Sequence, residues 1–168
     1  MMMQLVRIAL LLPTISLLLA CAAGPGFRLD DAAAELAVPR EVVSMQPFPE
    51  GRRVVWGGQI IGMKNLADRS RIELLAYPLD GRQRPTVDEP SLGRFLVDRA
   101  GYLEPADYAP GRLLTVTGRL LKRVRGKVGD APYDYPLIEA DEIYLWPLPS
   151  EGLSWGGIHF GIGISISN

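Results

Sequence analysis

Between residues 53 and 146 the apolar side chains of this chain recur at every second position, in short runs separated by glycine and proline. Leu114, Val116 and Leu120 show the pattern most clearly. Successive side chains of a strand point to opposite faces, so this spacing predicts strands with one buried face. The composition agrees, because 18 glycines and 14 prolines in 168 residues suit a turn-rich β protein better than a helical one.

Six segments carry this alternation, and they predict a mainly β fold. Their number and glycine content predict a small Greek-key, OB-like barrel of about five or six strands, with a β-sandwich as the alternative. The pair Gly57-Gly58 predicts a bulge or sharp bend, and Pro136 limits its segment to an edge or an end. The predicted strands are residues 53–61, 71–76, 93–97, 112–121, 133–139 and 142–146.

The first twenty residues have the features of an export signal. Arg7 precedes an apolar run, residues 8–19, which is shorter than the roughly 20 residues of a membrane span. Leu18-Leu19-Ala20-Cys21 then resembles the bacterial lipobox, in which cleavage before a cysteine leaves it with a diacylglycerol thioether and an acylated amino terminus. We therefore predict cleavage between Ala20 and Cys21 and lipidation of Cys21, with an ordinary signal peptide or a buried free cysteine as the alternative.

The predicted anchor indicates where the protein resides. Two or more acyl chains hold a protein stably on a membrane, whereas one holds it only marginally. Ala22 stands where an aspartate would favour retention in the inner membrane, so we expect lipid anchoring to the bacterial outer membrane, on its periplasmic face. Residues 22–28 predict a flexible spacer that holds the domain off the lipid, and Asp30 or Asp31 predicts the start of a short helix that ends before Pro39.

Several short motifs between Pro39 and Pro147, in their order along the chain, resemble the Slp family of outer-membrane lipoproteins. This family is named for a starvation-inducible member. The resemblance implies an outer-membrane location and related folds, and it carries no reaction that could be transferred residue by residue. We therefore expect a signal peptide at 1–20, a lipidated tether with a short helix at 21–38, an Slp-like β domain at 39–148 and a Gly/Ile-rich tail at 149–168. The matching motifs are Val55-Trp56-Gly57-Gly58-Gln59-Ile60, Pro78-Leu79-Asp80 with Arg84-Pro85, Gly93-Arg94-Phe95-Leu96, Gly101-Tyr102-Leu103-Glu104-Pro105 with Tyr108, Gly111-Arg112-Leu113-Leu114-Thr115-Val116-Thr117-Gly118, Tyr133-Asp134-Tyr135-Pro136 and Leu145-Trp146.

The residues offer little for catalysis. The single histidine, His159, lies in the tail, and with Cys21 lipidated no His/Cys metal site or nucleophilic triad can form. Adjacent acids such as Asp141-Glu142 would point to opposite faces of a strand, which is unsuited to glycoside hydrolysis. We expect no enzyme activity, no cofactor beyond the covalent lipid on Cys21, and no nucleic-acid partner, because removal of residues 1–20 leaves a formal charge of −2.

Two features suggest contacts within the envelope. Lys122, Arg123, Arg125 and Lys127, here called the basic cluster, could bind lipid phosphates from a hairpin before Gly129-Asp130. The alternating tail could pair with an edge strand, a second copy or lipid. The first hypothesis is a non-enzymatic lipoprotein that acts in envelope structure or stress and binds an envelope protein or lipid. The alternative is a small-ligand or anionic-lipid-binding barrel with the basic cluster at its mouth.

Overall fold

The backbone of residues 53–145 folds into a closed β-barrel. A computed structural model describes residues 24–28 and 38–148 of the chain. Among them, one short helix and five strands are formed. The bounds are α1 Pro39–Val42, β1 Arg53–Asn65, β2 Arg69–Tyr77, β3 Arg94–Ala100, β4 Leu113–Val128 and β5 Ala131–Leu145.

The strands follow one another around the barrel in the order β1-β2-β3-β5-β4, and β4 pairs with β1 to close it. The pairs are antiparallel except β3 with β5, which run parallel from Leu96 opposite Leu137 to Asp98 opposite Glu139. This topology confirms the predicted OB-like barrel and excludes the β-sandwich.

The barrel interior is filled by the apolar residues that the alternation selects. Trp56 and Phe95 meet edge to face with ring centroids 5.4 Å apart, and both are buried. Such a pair adds roughly 0.5–1.5 kcal/mol to the burial of the rings themselves. Val42 of α1 is also fully buried in this core, so the short helix covers part of the barrel interior.

A second, smaller apolar cluster lies on the outer face of the barrel. Phe95 and Val97 point into the core, so Leu96 between them points outward, where it meets Tyr135 and Leu137. A register shift between Leu120 and Lys122 inserts an extra residue into β4. Because one extra residue exchanges the two faces of a strand, the end of β4 packs on the outer cluster instead of the core.

The predicted strands 133–139 and 142–146 form one strand, β5, and this corrects the count of six. Pro136 lies inside β5 opposite Arg123, at a point where β5 has β4 on one side. Pairing with β3 begins at the next residue, Leu137. Pro136 has no N–H to donate, but no β3 strand lies beside it to accept one. At this residue β5 is therefore an edge strand, and from Leu137 onward it lies between β4 and β3.

The bend predicted at Gly57-Gly58 is displaced along β1. The register shift in β1 falls between Ile60 and Gly62. Gly58 instead permits close approach of strands, because a Cβ atom there would overlap the carbonyl oxygen of Leu75. The sequence therefore indicated correctly that glycine is required, but for close strand contact and not for a bulge.

Gly24 and Phe27 contact the barrel, so the spacer predicted as flexible for residues 22–28 is held to the barrel at these two residues. The predicted helix beginning at Asp30 or Asp31 lies outside the described residues, as do Cys21 and the tail at 149–168. The domain boundaries assigned from the sequence therefore stay predictions.

Candidate functional site

A cleft of about 500 Å³ lies between the β4–β5 hairpin and the outer surface of the barrel. One wall is formed by residues 124–127 of β4 and by Tyr135 of β5, and the other by the end of β1 and the start of β2. The apolar side chains in its lining are Leu96 and Val124, whereas Met63, which also lines it, packs against the core. Ligand sites in proteins have volumes of roughly 300–1,000 Å³, so the cleft has room for a small ligand.

Tyr135 connects the hairpin to the barrel at the cleft wall. Its hydroxyl lies 2.9 Å from the carbonyl oxygen of Lys127 and 3.2 Å from a carboxylate oxygen of Glu73. The ring packs on Gly126, where a Cβ atom would come 3.0 Å from Tyr135 Cε2. Burial, followed by the charge of Glu73, raises the pKa of the Tyr135 phenol, which keeps it protonated as a donor.

Two of the charged residues in the lining are neutralised by neighbours. Arg71 donates from Nε and Nη2 to both carboxylate oxygens of Asp98, at 2.6 and 2.7 Å. This hydrogen bond is the main cause that raises the pKa of Arg71. Arg94 donates to Glu73 at 2.7 Å. These hydrogen bonds therefore fix the positions of Arg71 and Glu73 in the cleft wall, and they neutralise most of the charge that the two side chains could offer to a ligand.

The remaining charges of the lining are positive. Lys64 and Lys127 are exposed, and neither side chain makes a hydrogen bond or ion pair within the described residues. Arg125, whose side chain is 83% exposed, has one long hydrogen bond of 3.3 Å to Asp134. A cationic rim beside an apolar surface is complementary to an amphiphile with an anionic head.

The structure divides the basic cluster. Arg125 and Lys127 line the cleft, whereas Lys122 is exposed on β4 outside its lining. Arg123 donates to the carbonyl oxygens of Val43 and Met45. Its guanidinium also lies 5.2 Å from the ring centroid of Phe48. Lipid contact by the four side chains stays a prediction, and only two of them share the cleft.

Sequence reasoning missed Lys64 as a member of the site. It stands on β1, far in sequence from Arg125 and Lys127, and the barrel brings it to the same cleft. A single lysine near the end of a predicted strand gives no local signal of such a role. Cys21 and Ala20, the predicted lipidation and cleavage residues, lie outside the described residues.

The described residues offer no assembled metal site. Within 24–28 and 38–148, no group of three or more His, Cys, Asp or Glu side chains could hold a metal ion. Asp141 of the acidic pair noted above forms an ion pair with Arg53. In the same ranges, no helix is long and apolar enough to cross a membrane.

The sequence profile of the outer membrane lipoprotein Slp family matches residues 18–154. The chain belongs to the Slp family. The predicted resemblance is therefore confirmed, and with it the assignment as an outer-membrane lipoprotein, because this is what unites the family.

Relatives of this Slp-family chain occur in two bacteria. The "Uncharacterized lipoprotein YeaY" of Escherichia coli (strain K12) is 34% identical over 110 residues, which is 66% of this chain and 56% of that protein. An "Uncharacterized protein" of Haemophilus influenzae is 37% identical over 93 residues, or 55% and 50%. The "Outer membrane protein Slp" of E. coli (strain K12) is 25% identical over 147 residues, or 87% and 78%. The chain thus spans about half the length of the first two relatives.

Two solved structures share features of the barrel. A small single-stranded DNA-binding protein from Streptomyces coelicolor gives a TM-score of 0.36 at 18% identity, covering 56% of this chain and 94% of its own. Schizosaccharomyces pombe Pot1pC bound to ssDNA gives 0.30 at 11% identity, covering 64% and 86%. At these scores neither likeness bears on the function of the Slp-family chain, and the fold assignment rests on its own strand pairing.

Proposed function

We propose that this Slp-family protein is a non-enzymatic lipoprotein of the periplasmic face of the outer membrane. In this proposal its barrel binds an anionic amphiphile of the envelope as part of a structural or stress-related role. The observation that carries the proposal is the cleft between the β4–β5 hairpin and the barrel, with its cationic rim and apolar surface.

The anchor in this proposal is Cys21. It is the only cysteine of the chain and follows an apolar run with the spacing of a lipobox. Intact mass and membrane fractionation of the wild-type protein beside Cys21→Ser test it. We expect a wild-type chain that begins at Cys21 with added acyl mass in the outer-membrane fraction, and loss of that fraction for the variant. An unmodified wild-type mass in the soluble periplasm would refute the anchor.

Ligand binding in the cleft would use two kinds of contact. An anionic head group would lie against Lys64 and Lys127, the two lysines of the cleft lining, whose side chains have no partner within the described residues. The adjoining hydrocarbon would cover Leu96 and Val124. Exposed cations are attracted to anionic lipids by roughly 1 kcal/mol each, and the attraction weakens as salt increases.

The test uses full-length Cys21→Ser protein and a short-chain phosphatidylglycerol that stays monomeric, with the matching phosphatidylcholine as the neutral probe. We expect calorimetric titration to show binding of the anionic lipid that weakens with salt. Lys64→Glu combined with Lys127→Glu should weaken binding at least about tenfold, because each reversal replaces attraction by repulsion.

Lys122→Glu is the matched control, since Lys122 is an exposed cation of β4 outside the cleft lining. It should bind the anionic lipid as the parent does. Equal binding of the two lipids, or equal effects of the control and the double variant, would refute binding in the cleft.

A further inference from the structure

A short segment that follows the predicted lipidation site is attached to the barrel by a two-point hydrogen-bond bridge. The backbone N–H of Phe27 donates to Oε1 of Gln83 at 2.9 Å, and Nε2 of Gln83 donates to the carbonyl oxygen of Phe27 at 2.7 Å. One side-chain amide thus satisfies both backbone groups of Phe27, as a neighbouring strand would. We call residues 24–28 the strap.

The strap also approaches the barrel too closely for a side chain at its first described residue. A Cβ atom on Gly24 would overlap the carbonyl oxygen of Arg82 and would come 3.2 Å from Cη2 of Trp146. The strap is therefore held at two points, Gly24 and Phe27, against the loop that joins β2 to β3.

The loop that receives the strap is fixed by its own hydrogen bonds. The carboxylate of Asp80 accepts the backbone N–H groups of Arg82 and Arg84, at 2.8 and 2.9 Å. The hydroxyl of Thr115 donates to the carbonyl oxygen of Gln83 at 2.7 Å. Gln83 is held in the left-handed region, with φ of 65°. These contacts fix the backbone of the loop at Gln83 independently of the strap, so the loop that receives the strap is preorganised.

From these contacts we infer that the strap sets the orientation of the barrel on the bilayer that carries its anchor. The inference rests on the proposed lipidation of Cys21. Three residues of chain, from Cys21 to Gly24, span at most roughly 11 Å. A lipid on Cys21 therefore brings Arg82, Gln83 and Trp146 to the lipid surface, and the membrane becomes the partner of this end of the barrel.

The exposed groups at this end suit a lipid surface. Arg28 of the strap and Arg82 of the adjoining loop are exposed, and Leu148, shortly after Trp146, is 64% exposed. Cationic and apolar groups together are what the interfacial region of a bilayer accommodates.

The cleft lies away from this end. Gly57 of β1 sits beneath the receiving loop, since a Cβ there would meet Leu79 and Pro85. Gly62 to Lys64, which line the cleft, are five to seven residues further along β1. At about 3.3 Å per residue this separates the two regions by roughly 17–23 Å along the strand. The anchored barrel therefore keeps the hairpin farther from the lipid than the loop.

Paramagnetic broadening of backbone amides by gadolinium-labelled head groups tests the orientation, with the lipidated full-length protein in nanodiscs. We expect the strongest broadening for residues 80–84 and 146 and much weaker broadening for residues 124–128. Uniform broadening, or the strongest effect at residues 124–128, would overturn the inference.

Gln83→Gly tests whether the strap is responsible. Glycine adopts a φ of 65° without strain, so the barrel should fold, but both hydrogen bonds to Phe27 are lost. We expect the contrast in broadening between the loop and the hairpin to fall at least about threefold. Gln59→Ala is the matched control, because Gln59 bonds to Gly111 and not to the strap. An unchanged contrast in Gln83→Gly would overturn the role of the strap.

Failure of the anchor is distinguishable from failure of the orientation. If intact mass shows no lipid on Cys21, a chain that begins at this residue is coupled through its only thiol to a maleimide head group, and the same broadening is measured. The expected pattern would then support the orientation without the biological anchor, and its absence would overturn it.

Discussion

At Gly58 two strands lie too close together for any side chain between them. A Cβ atom there would overlap the carbonyl oxygen of Leu75, which belongs to a paired backbone and cannot move aside. We expect Gly58→Ala to lower the free energy of unfolding by about 3 kcal/mol, at the upper end of overpacking effects. Denaturant unfolding followed by tryptophan fluorescence measures the loss.

Gly62→Ala is the control for this prediction. Gly62 is in the same strand, and a Cβ atom there meets nothing within 4 Å. Its free energy of unfolding should change by less than about 0.5 kcal/mol. Similar losses in the two variants would show that the effect comes from the backbone freedom of glycine and not from the contact with Leu75.

Thr115 connects the buried Trp146 to the partly buried Gln83 through one hydroxyl. It accepts from Nε1 of Trp146 at 2.9 Å and donates to the carbonyl oxygen of Gln83 at 2.7 Å. Thr115→Val keeps the shape but leaves both groups without this partner, so we expect a loss of about 2 kcal/mol in unfolding free energy. Thr117→Val should cost less than about 1 kcal/mol, because no hydrogen bond of the Thr117 hydroxyl occurs within the described residues. Equal losses would contradict the prediction.

Among the elements, β4 contacts the segment after α1 through the side chain of Arg123. Arg123 donates to the carbonyl oxygens of Val43 and Met45 and stacks on Phe48. Lysine cannot reproduce the fork geometry of the guanidinium. We expect Arg123→Lys to lower the free energy of unfolding by about 1–2 kcal/mol, measured by chemical denaturation.

Arg125→Lys is the matched control on the same strand. The side chain of Arg125 is 83% exposed and has only the 3.3 Å contact with Asp134. Exposed ion pairs contribute little, so its effect should stay within about 0.5 kcal/mol. If the two substitutions had the same effect, Arg123 would be a surface cation and its contacts with the segment after α1 would be unimportant.

The contrast between Arg123 and Arg125 shows what the sequence could predict about elements. The positions of the strands could be predicted because a strand with one buried face has an apolar residue at every second position. The partners of Arg123 lie 78 and 80 residues earlier, and no local pattern encodes such a contact. The extra residue between Leu120 and Lys122, which exchanges the faces of β4, also has no glycine or proline to mark it.

For the candidate site too, the sequence indicated residues that are close together in the chain and missed those that are brought together by the fold. Arg125 and Lys127 stood out because they are close together in sequence, and both line the cleft. Lys64 reaches the cleft only because β1 is connected to β4 through β2, β3 and β5 in the folded sheet. The strap was missed because a small, glycine-containing segment looks flexible, whereas its contacts depend on a side chain 56 residues away.

For the whole molecule, the buried phenol of Tyr135 predicts a dependence of stability on alkaline pH. Burial, followed by the charge of Glu73, raises its pKa above the ordinary value of 10.0. Above about pH 10 the unfolded chain therefore loses this proton before the folded chain does. Stability contributed by the protonated phenol is complete below pH 10 and falls as the pH rises toward the folded pKa.

Tyr135→Phe tests this by urea unfolding at several pH values from 7 to about 11.5. The variant should be less stable at neutral pH by about 1 kcal/mol, because the hydrogen bonds of the hydroxyl are lost. Its stability should then decline less steeply above about pH 10 than that of the parent. Parallel declines would show that Tyr135 ionises in the folded protein as easily as in the unfolded chain.

The parallel pairing of β3 with β5 has a consequence for secretion. Leu96 pairs with Leu137, so the barrel cannot close until β5, the last strand of the described residues, has crossed the membrane. Contacts between segments so distant in sequence form slowly. A chain that is threaded amino terminus first through a translocon therefore stays open until residues 137–139 have crossed. Its architecture delays closure of the barrel until the part of β5 that pairs with β3 has been exported.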